Sequence, residues 1–163
     1  MSSNRPRPAS WMNVWWPVLL AITVIFIEST QLMGANNTSG PLRHLCELLL
    51  GHPIADPRWE TVHFYIRKSG HFFGYGLMGL AWLRAWAISR PRMSVGLCTL
   101  AALASTAFVA SCDEWHQSKL PNRTGTPHDV LIDTCGALTL ILLFFALRRL
   151  FHPLFFRRVV PRS

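Results

Sequence analysis

Four stretches of this chain, 14–33, 66–89, 93–112 and 130–147, are long and apolar enough to suit the interior of a lipid bilayer. A spanning helix takes about 20 mostly apolar residues, because roughly 30 Å of hydrocarbon is crossed at ~1.5 Å per residue. The third stretch carries no charge, the fourth only Asp133, and the second is uncharged from Phe72 to Leu83. Trp15 and Trp16 open the first, and Trp82, Trp86 and Trp115 fall near the expected ends of the others, where amphipathic rings settle at headgroup level. Composition points the same way: 15% of the 163 residues are charged, against roughly a quarter in a soluble domain. The 7 Trp and 10 Phe exclude a solvated coil. The expected fold is all-α, a bundle of four transmembrane helices with a long first extracytoplasmic loop. A signal peptide is the alternative for the first stretch, since Arg5 and Arg7 precede its apolar core. Glu28-Ser29-Thr30-Gln31-Leu32-Met33 offers no small-residue cleavage site, so a retained anchor is expected.

The charges divide by side. Arg5, Arg7, Arg84, Arg90, Arg92, Arg148, Arg149, Arg157, Arg158 and Arg162 fall in the N-terminus, the second connection and the C-terminus, which contain no carboxylate. All 8 Asp and Glu lie in or beside the first and third connections. Short basic segments stay on the cytoplasmic side, so both termini are expected there. The chain then divides into a cytoplasmic tail at 1–13, a membrane domain at 14–150 and a basic cytoplasmic tail at 151–163. Tails that hold an orientation account for the net charge of +8, and no nucleic-acid partner is expected.

The first outer connection, Gly34 to Tyr65, reads as long and irregular. Leu42, Leu45, Leu48 and Leu49 recur at helical spacing within Pro41 to Leu50, which suits an amphipathic helix lying on the outer surface or capping the bundle. Pro53 and Pro57 are expected to break any helix beyond it. Gly70, Gly74, Gly76 and Gly79 form a small-residue pattern of the kind that lets helices approach closely, here within the bundle.

Polar groups concentrate at the outer ends of three stretches. Lys68, His71 and Tyr75 are spaced i, i+3, i+7, along one helical face. Asp113, Glu114 and Gln117 stand within about one turn. Asp129, Asp133 and Gly136 repeat the i, i+4, i+7 pattern. Between the last two groups, Leu120-Pro121-Asn122-Arg123-Thr124-Gly125 demands a tight turn. Charges beside lipid turn inward toward partners or water, so these groups are expected around one shallow, outward-facing pocket.

Two blocks here resemble a known family. Arg67-Lys68-Ser69-Gly70-His71-Phe72-Phe73-Gly74-Tyr75-Gly76-Leu77 is similar to the first motif of the VanZ-like family, named for a teicoplanin-resistance protein. Asp113-Glu114-Trp115-His116-Gln117, then Pro121, Arg123 and Gly125, then Asp129-Val130-Leu131-Ile132-Asp133 and Gly136 resemble its second. Gly74 stands where many relatives carry an acidic residue, and Asn122 where glycine is frequent. The resemblance implies a small four-helix protein of the bacterial cytoplasmic membrane and reduced glycopeptide susceptibility.

Three functions compete for the pocket. In the architectural reading Lys68 and Arg123 pair with Asp113, Glu114, Asp129 and Asp133 and merely staple helix ends. Those four carboxylates outnumber the two permanent cations, and uncompensated charge in a low dielectric is unfavourable. An enzyme would use His71, Asp113, Glu114 and Asp129 as acid–base groups, with Lys68, Tyr75, Gln117, Arg123 and Asp133 holding a lipid-linked or peptidoglycan-related envelope substrate. A divalent cation, Mg²⁺ or Ca²⁺, on Asp113, Glu114, Asp129 and Asp133 would cancel the excess charge. A binding protein would use the same cations for recognition without bond chemistry. Transport is disfavoured, because the middles of the third and fourth stretches are apolar apart from Ser105, Thr106, Thr134 and Thr139.

Overall fold

A computed structural model describes residues 10–121 and 123–156, with side chains to residue 151. Arg5 and Arg7 of the expected N-terminal tail, Asn122 of the expected turn, and Arg157, Arg158 and Arg162 of the expected C-terminal tail lie outside the described residues. Among the described residues the chain is helical throughout, without strands: α1 (Trp11–Glu28), a 3-10 turn (Gln31–Met33), α2 (Ala35–Leu50), α3 (Asp56–Ser89), α4 (Val95–Gln117) and α5 (Pro127–Phe156). Local chemistry sets the starts. Ser10 and Ser94 cap α1 and α4 by accepting the amides of Asn13 and Leu97, each at 3.3 Å. Thr126 caps α5, accepting the Asp129 amide at 3.2 Å and donating its hydroxyl to Asp129 Oδ2 at 3.1 Å, with Pro127 at the first helical position.

α3 is the central helix and packs against α1, α4 and α5, most extensively α5; α4 and α5 also pack together. The α3–α5 contact is set by glycine. A Cβ on Gly136 would overlap the Phe72 carbonyl, and one on Gly79 would stand 2.7 Å from the Ala137 Cβ. Of the four glycines expected to promote packing on α3, Gly76 and Gly79 lie at this contact, whereas Gly70 and Gly74 face open space. Tyr75, Met78, Ala110 and Ile25 form one buried cluster, and Leu83, Cys98, Ala102 and Ile141 another.

The connection expected to be long and irregular is mostly helical. α2 fills 35–50 and α3 begins at Asp56, ahead of the anticipated residue 66. Pro57 opens α3 rather than breaking it, because a first-turn residue has no intrahelical acceptor for the N–H that proline lacks. Gly51 ends α2 in the left-handed region at φ 74, its amide donating to the Glu47 carbonyl at 2.9 Å. Arg43 then ties α2 to the start of α3, donating to Glu47 at 3.0 Å, Asp56 at 2.7 Å and the Ile54 carbonyl at 2.5 Å. Trp59 Nε1 donates to Ser39 at 2.7 Å, and Thr38 meets His63 Nε2 at 3.2 Å. α2 contributes no buried residue, and Leu48 and Leu49 are 71% and 77% exposed.

α1, α4 and the 127–151 part of α5 are long and apolar enough to cross a membrane; α3 does not reach that apolarity. The reason is positional. Lys68, His71 and four glycines dilute its hydropathy, and helix-facing positions such as Tyr75, Met78 and Ala85 need not meet lipid. The outer surfaces of the other helices show what surrounds them. Leu19, Leu20 and Phe26 on α1, Leu97, Leu100 and Phe108 on α4, and Leu142 and Leu143 on α5 are exposed. Apolar surface on that scale suits hydrocarbon, not water.

Candidate functional site

The polar groups meet where α1 and α4 end and where α5 begins, against the middle of α3. Asp113 on α4 is enclosed by donors: Ser29 donates to Oδ1, while Tyr75 Oη and Gln117 Nε2 each donate to Oδ2 at 3.0 Å. Gln117 Nε2 also reaches Ser29 at 3.2 Å, so α1, α3 and α4 share one buried network. Arg123, in the α4–α5 connection, donates to Gln117 Oε1 at 3.4 Å, to the Thr30 carbonyl at 2.7 Å and to the Glu28 carbonyl. Its fork thus closes the end of α1, occupying the Glu28 carbonyl of the last helical turn and the Thr30 carbonyl just beyond it. Burial, with Arg67 nearby, pulls the Arg123 guanidinium below its usual range.

A second network joins α3 to α5. Lys68 forms an ion pair with Asp129 Oδ1, and Thr126 takes Asp129 Oδ2. The Thr126 amide donates to Glu114 Oε2 at 2.9 Å, tying α4 to the start of α5. The tight turn expected before α5 depends on Gly125: a Cβ there would overlap the Glu114 carbonyl.

Between the two networks lies a group of a different kind. One ligand atom each of His71, Glu114 and Asp133 falls within 4.8 Å of the others. His71 Nδ1 stands 3.7 Å from Asp133 Oδ1, too far for a hydrogen bond. Asp133 is 0% exposed, and neither of its oxygens has a hydrogen-bond partner among the described residues. The carboxylates expected to share a divalent ion therefore separate. Glu114 and Asp133 join His71, while Asp113 is saturated by hydrogen-bond donors and Asp129 is engaged by Lys68 and Thr126.

A cavity of about 310 Å³ opens beside this group, lined by Lys68, His71, Glu114, Gln117, Arg123 and Asp129. Tyr75, Asp113 and Asp133 do not line it; they stand behind its wall. Glu60, His63 and Arg67 do line it, although the sequence pattern did not single them out. Their signal was present: 60, 63, 67, 71 and 75 continue the α3 stripe at helical spacing, and its first two members were hidden because residues before 66 read as loop. Burial, then the Arg67 charge, lowers the His63 pKa and favours the neutral ring. Ser29 was also missed, because nothing in its local sequence distinguishes it from any helix-terminal serine. Arg67, Lys68 and Arg123 can hold an anion in this cavity, and His71 and Glu114 place proton-exchanging groups on its wall.

The VanZ/LLP1 family model matches residues 14–150. No curated protein and no solved structure matches the chain. The family match takes in most or all of every helix and both polar networks, and three of the helices are long and apolar enough to cross a membrane. This chain belongs to the VanZ/LLP1 family.

Proposed function

We propose that the chain crosses the bacterial cytoplasmic membrane four times, with the 66–89 part of α3 as the second span and both termini cytoplasmic. The polar cavity then opens outward and receives an anionic group of a lipid-linked or peptidoglycan-related envelope molecule, and this engagement lowers teicoplanin susceptibility. The observation that carries the reading is that Arg67, Lys68 and Arg123 line one cavity together with His71 and Glu114. A planar guanidinium and a point-charge ammonium suit phosphate or carboxylate, and an imidazole beside a carboxylate suits proton transfer. Arg84 supports the sidedness: it donates to the Asn13 and Val14 carbonyls at 3.0 and 2.9 Å, at the end of α1 away from the cavity.

The test is genetic. Glu114→Gln and Asp129→Asn proteins reach the membrane at wild-type abundance and leave cells as teicoplanin-susceptible as cells lacking the protein. Full protection by both variants rejects the reading. Reporter fusions at each terminus and connection test the span count, with cytoplasmic signal expected at both termini.

Recognition without bond chemistry is the second reading. Asp113 favours it, since a carboxylate already accepting from Ser29, Tyr75 and Gln117 acts by holding helices. Protection retained by His71→Gln selects recognition; protection lost at normal abundance selects acid–base chemistry.

A further inference from the structure

The unpartnered Asp133 carboxylate is the least explained feature of the molecule. A carboxylate without solvent or donors is strongly unfavourable in a medium of low dielectric, unless it is neutralised or coordinates a cation. No Lys or Arg forms a salt bridge with it among the described residues: Lys68 is paired with Asp129, and Arg123 is turned to Gln117 and backbone carbonyls. His71 comes within 3.7 Å, and Glu114 adds a further carboxylate rather than a counter-charge.

We propose that His71, Glu114 and Asp133 bind one divalent transition-metal ion, of the Zn²⁺ or Mn²⁺ class, at the inner wall of the cavity. Three observations converge. One ligand atom from each residue lies within 4.8 Å of the other two, so a single ion placed among them reaches all three after small side-chain adjustments. Both Asp133 oxygens are buried and without a hydrogen-bond partner among the described residues, and Oδ1 stands 3.7 Å from His71 Nδ1. The surrounding contacts orient the ligands from behind: the Thr126 amide holds Glu114 Oε2 at 2.9 Å, and the Tyr75 ring lies nearly parallel to His71, with centroids 6.2 Å apart.

The donor set selects the ion. One imidazole nitrogen with two carboxylates suits Zn²⁺ or Mn²⁺, whereas Mg²⁺ and Ca²⁺ prefer oxygen donors throughout. A dication also cancels the charges of Glu114 and Asp133. Three protein ligands leave coordination positions open, and His71 and Glu114 place those positions toward the cavity, where water or an anionic oxygen completes them. The site deepens the proposed function and rests on it only for the identity of what enters the cavity. Metal retention by purified protein succeeds or fails whatever the susceptibility of cells.

The experiment uses the untagged full chain in lipid nanodiscs, stripped with chelator and titrated with Zn²⁺, Mn²⁺, Mg²⁺ or Ca²⁺. Bound metal is counted after desalting. The expected result is about one Zn²⁺ or Mn²⁺ per chain. Asp133→Asn and His71→Gln are expected to weaken binding by at least ~10-fold, while Glu47→Gln, which does not line the cavity, retains it. Because a variant can misfold, the wild-type Mn²⁺ complex supplies an independent readout: electron spin-echo modulation from a directly bound imidazole nitrogen. No retained ion, equal retention by Asp133→Asn, a preference for Mg²⁺ or Ca²⁺, or no nitrogen coupling would each overturn the proposal.

Discussion

At the end of the bundle where α1 begins, Val14, Val18 and Ala85 are buried, and Trp15 packs edge-on against Trp82 and Trp86 with centroids 5.8 and 5.9 Å apart. At the end where α1 finishes, Ser29, Asp113, Gln117 and Asp133 occupy equally buried positions. The first end is held by close packing, which in lipid rests on dispersion and shape because hydrocarbon offers no hydrophobic drive between helices. The second is held by hydrogen bonds and one ion pair, whose energies depend on every group finding its partner. Aromatic packing tolerates small adjustments, whereas a polar cluster that leaves Asp133 unsatisfied is organised around something beyond helix stability. The proposed function therefore draws on the end whose interior is energetically incomplete.

Substitutions probe that contrast, and Gly136→Val is the most damaging. It acts on both ends together, because it drives α5 off the Phe72 carbonyl. A loss of about 3 kcal/mol or more is expected, read as failure to recover folded protein in detergent. Met78→Ala opens a void at a 0%-exposed position in the α3 core. It is expected to cost about 2–3 kcal/mol, with protection falling in step with membrane abundance. Protection falling further than abundance would place function in the packed core. Tyr75→Phe removes the donor to Asp113 Oδ2 and is expected to cost about 1 kcal/mol, measured by thermal unfolding.

Asp133→Asn separates the two ends most sharply. In chelator-treated protein its stability should lie within about 1 kcal/mol of wild type or above it, since a buried uncompensated charge is removed. Protection should nevertheless be lost at normal abundance. A large destabilisation would return Asp133 to a purely architectural role.

The smallest effect concerns pH at the α2 contact. Burial lowers the His63 pKa in the folded chain, so the unfolded or undocked state takes the proton first as pH falls. Docking of α2 is therefore complete above the ordinary histidine pKa of about 6.5 and weakens below it. The protection factors of α2 amides, taken relative to the intrinsic exchange rate at each pH, should fall between about pH 7 and pH 5, and His63→Gln should flatten that dependence.

The helical character of the chain was legible because apolar runs and capping residues are local signals. The stripe of Lys68, His71 and Tyr75 was legible for the same reason, as helical periodicity places such residues on one face whatever surrounds them. The early turns of α3 were not legible, because Pro57 in a first turn and Pro57 after a break look alike until the helix around it is seen. The cavity-lining Glu60 and His63 were lost with them, and Arg67, although inside the expected span, has meaning only as part of the stripe they begin. Among the carboxylates, Asp113, Asp129 and Asp133 all stood as candidate ligands of one divalent ion. Their separation into a saturated group, an ion-paired group and an orphan depends on Ser29, Lys68 and Thr126, contributed by three separate segments.

By itself the order of residues determined a helical chain with apolar surfaces and polar groups gathered near particular helix ends, since hydropathy and periodicity are properties of contiguous segments. Only the tertiary structure decided which acid is left without a partner and which three side chains converge. Those outcomes depend on angstrom-scale separations between α3, α4 and α5, and glycines such as Gly136 set those separations by omitting a single carbon atom.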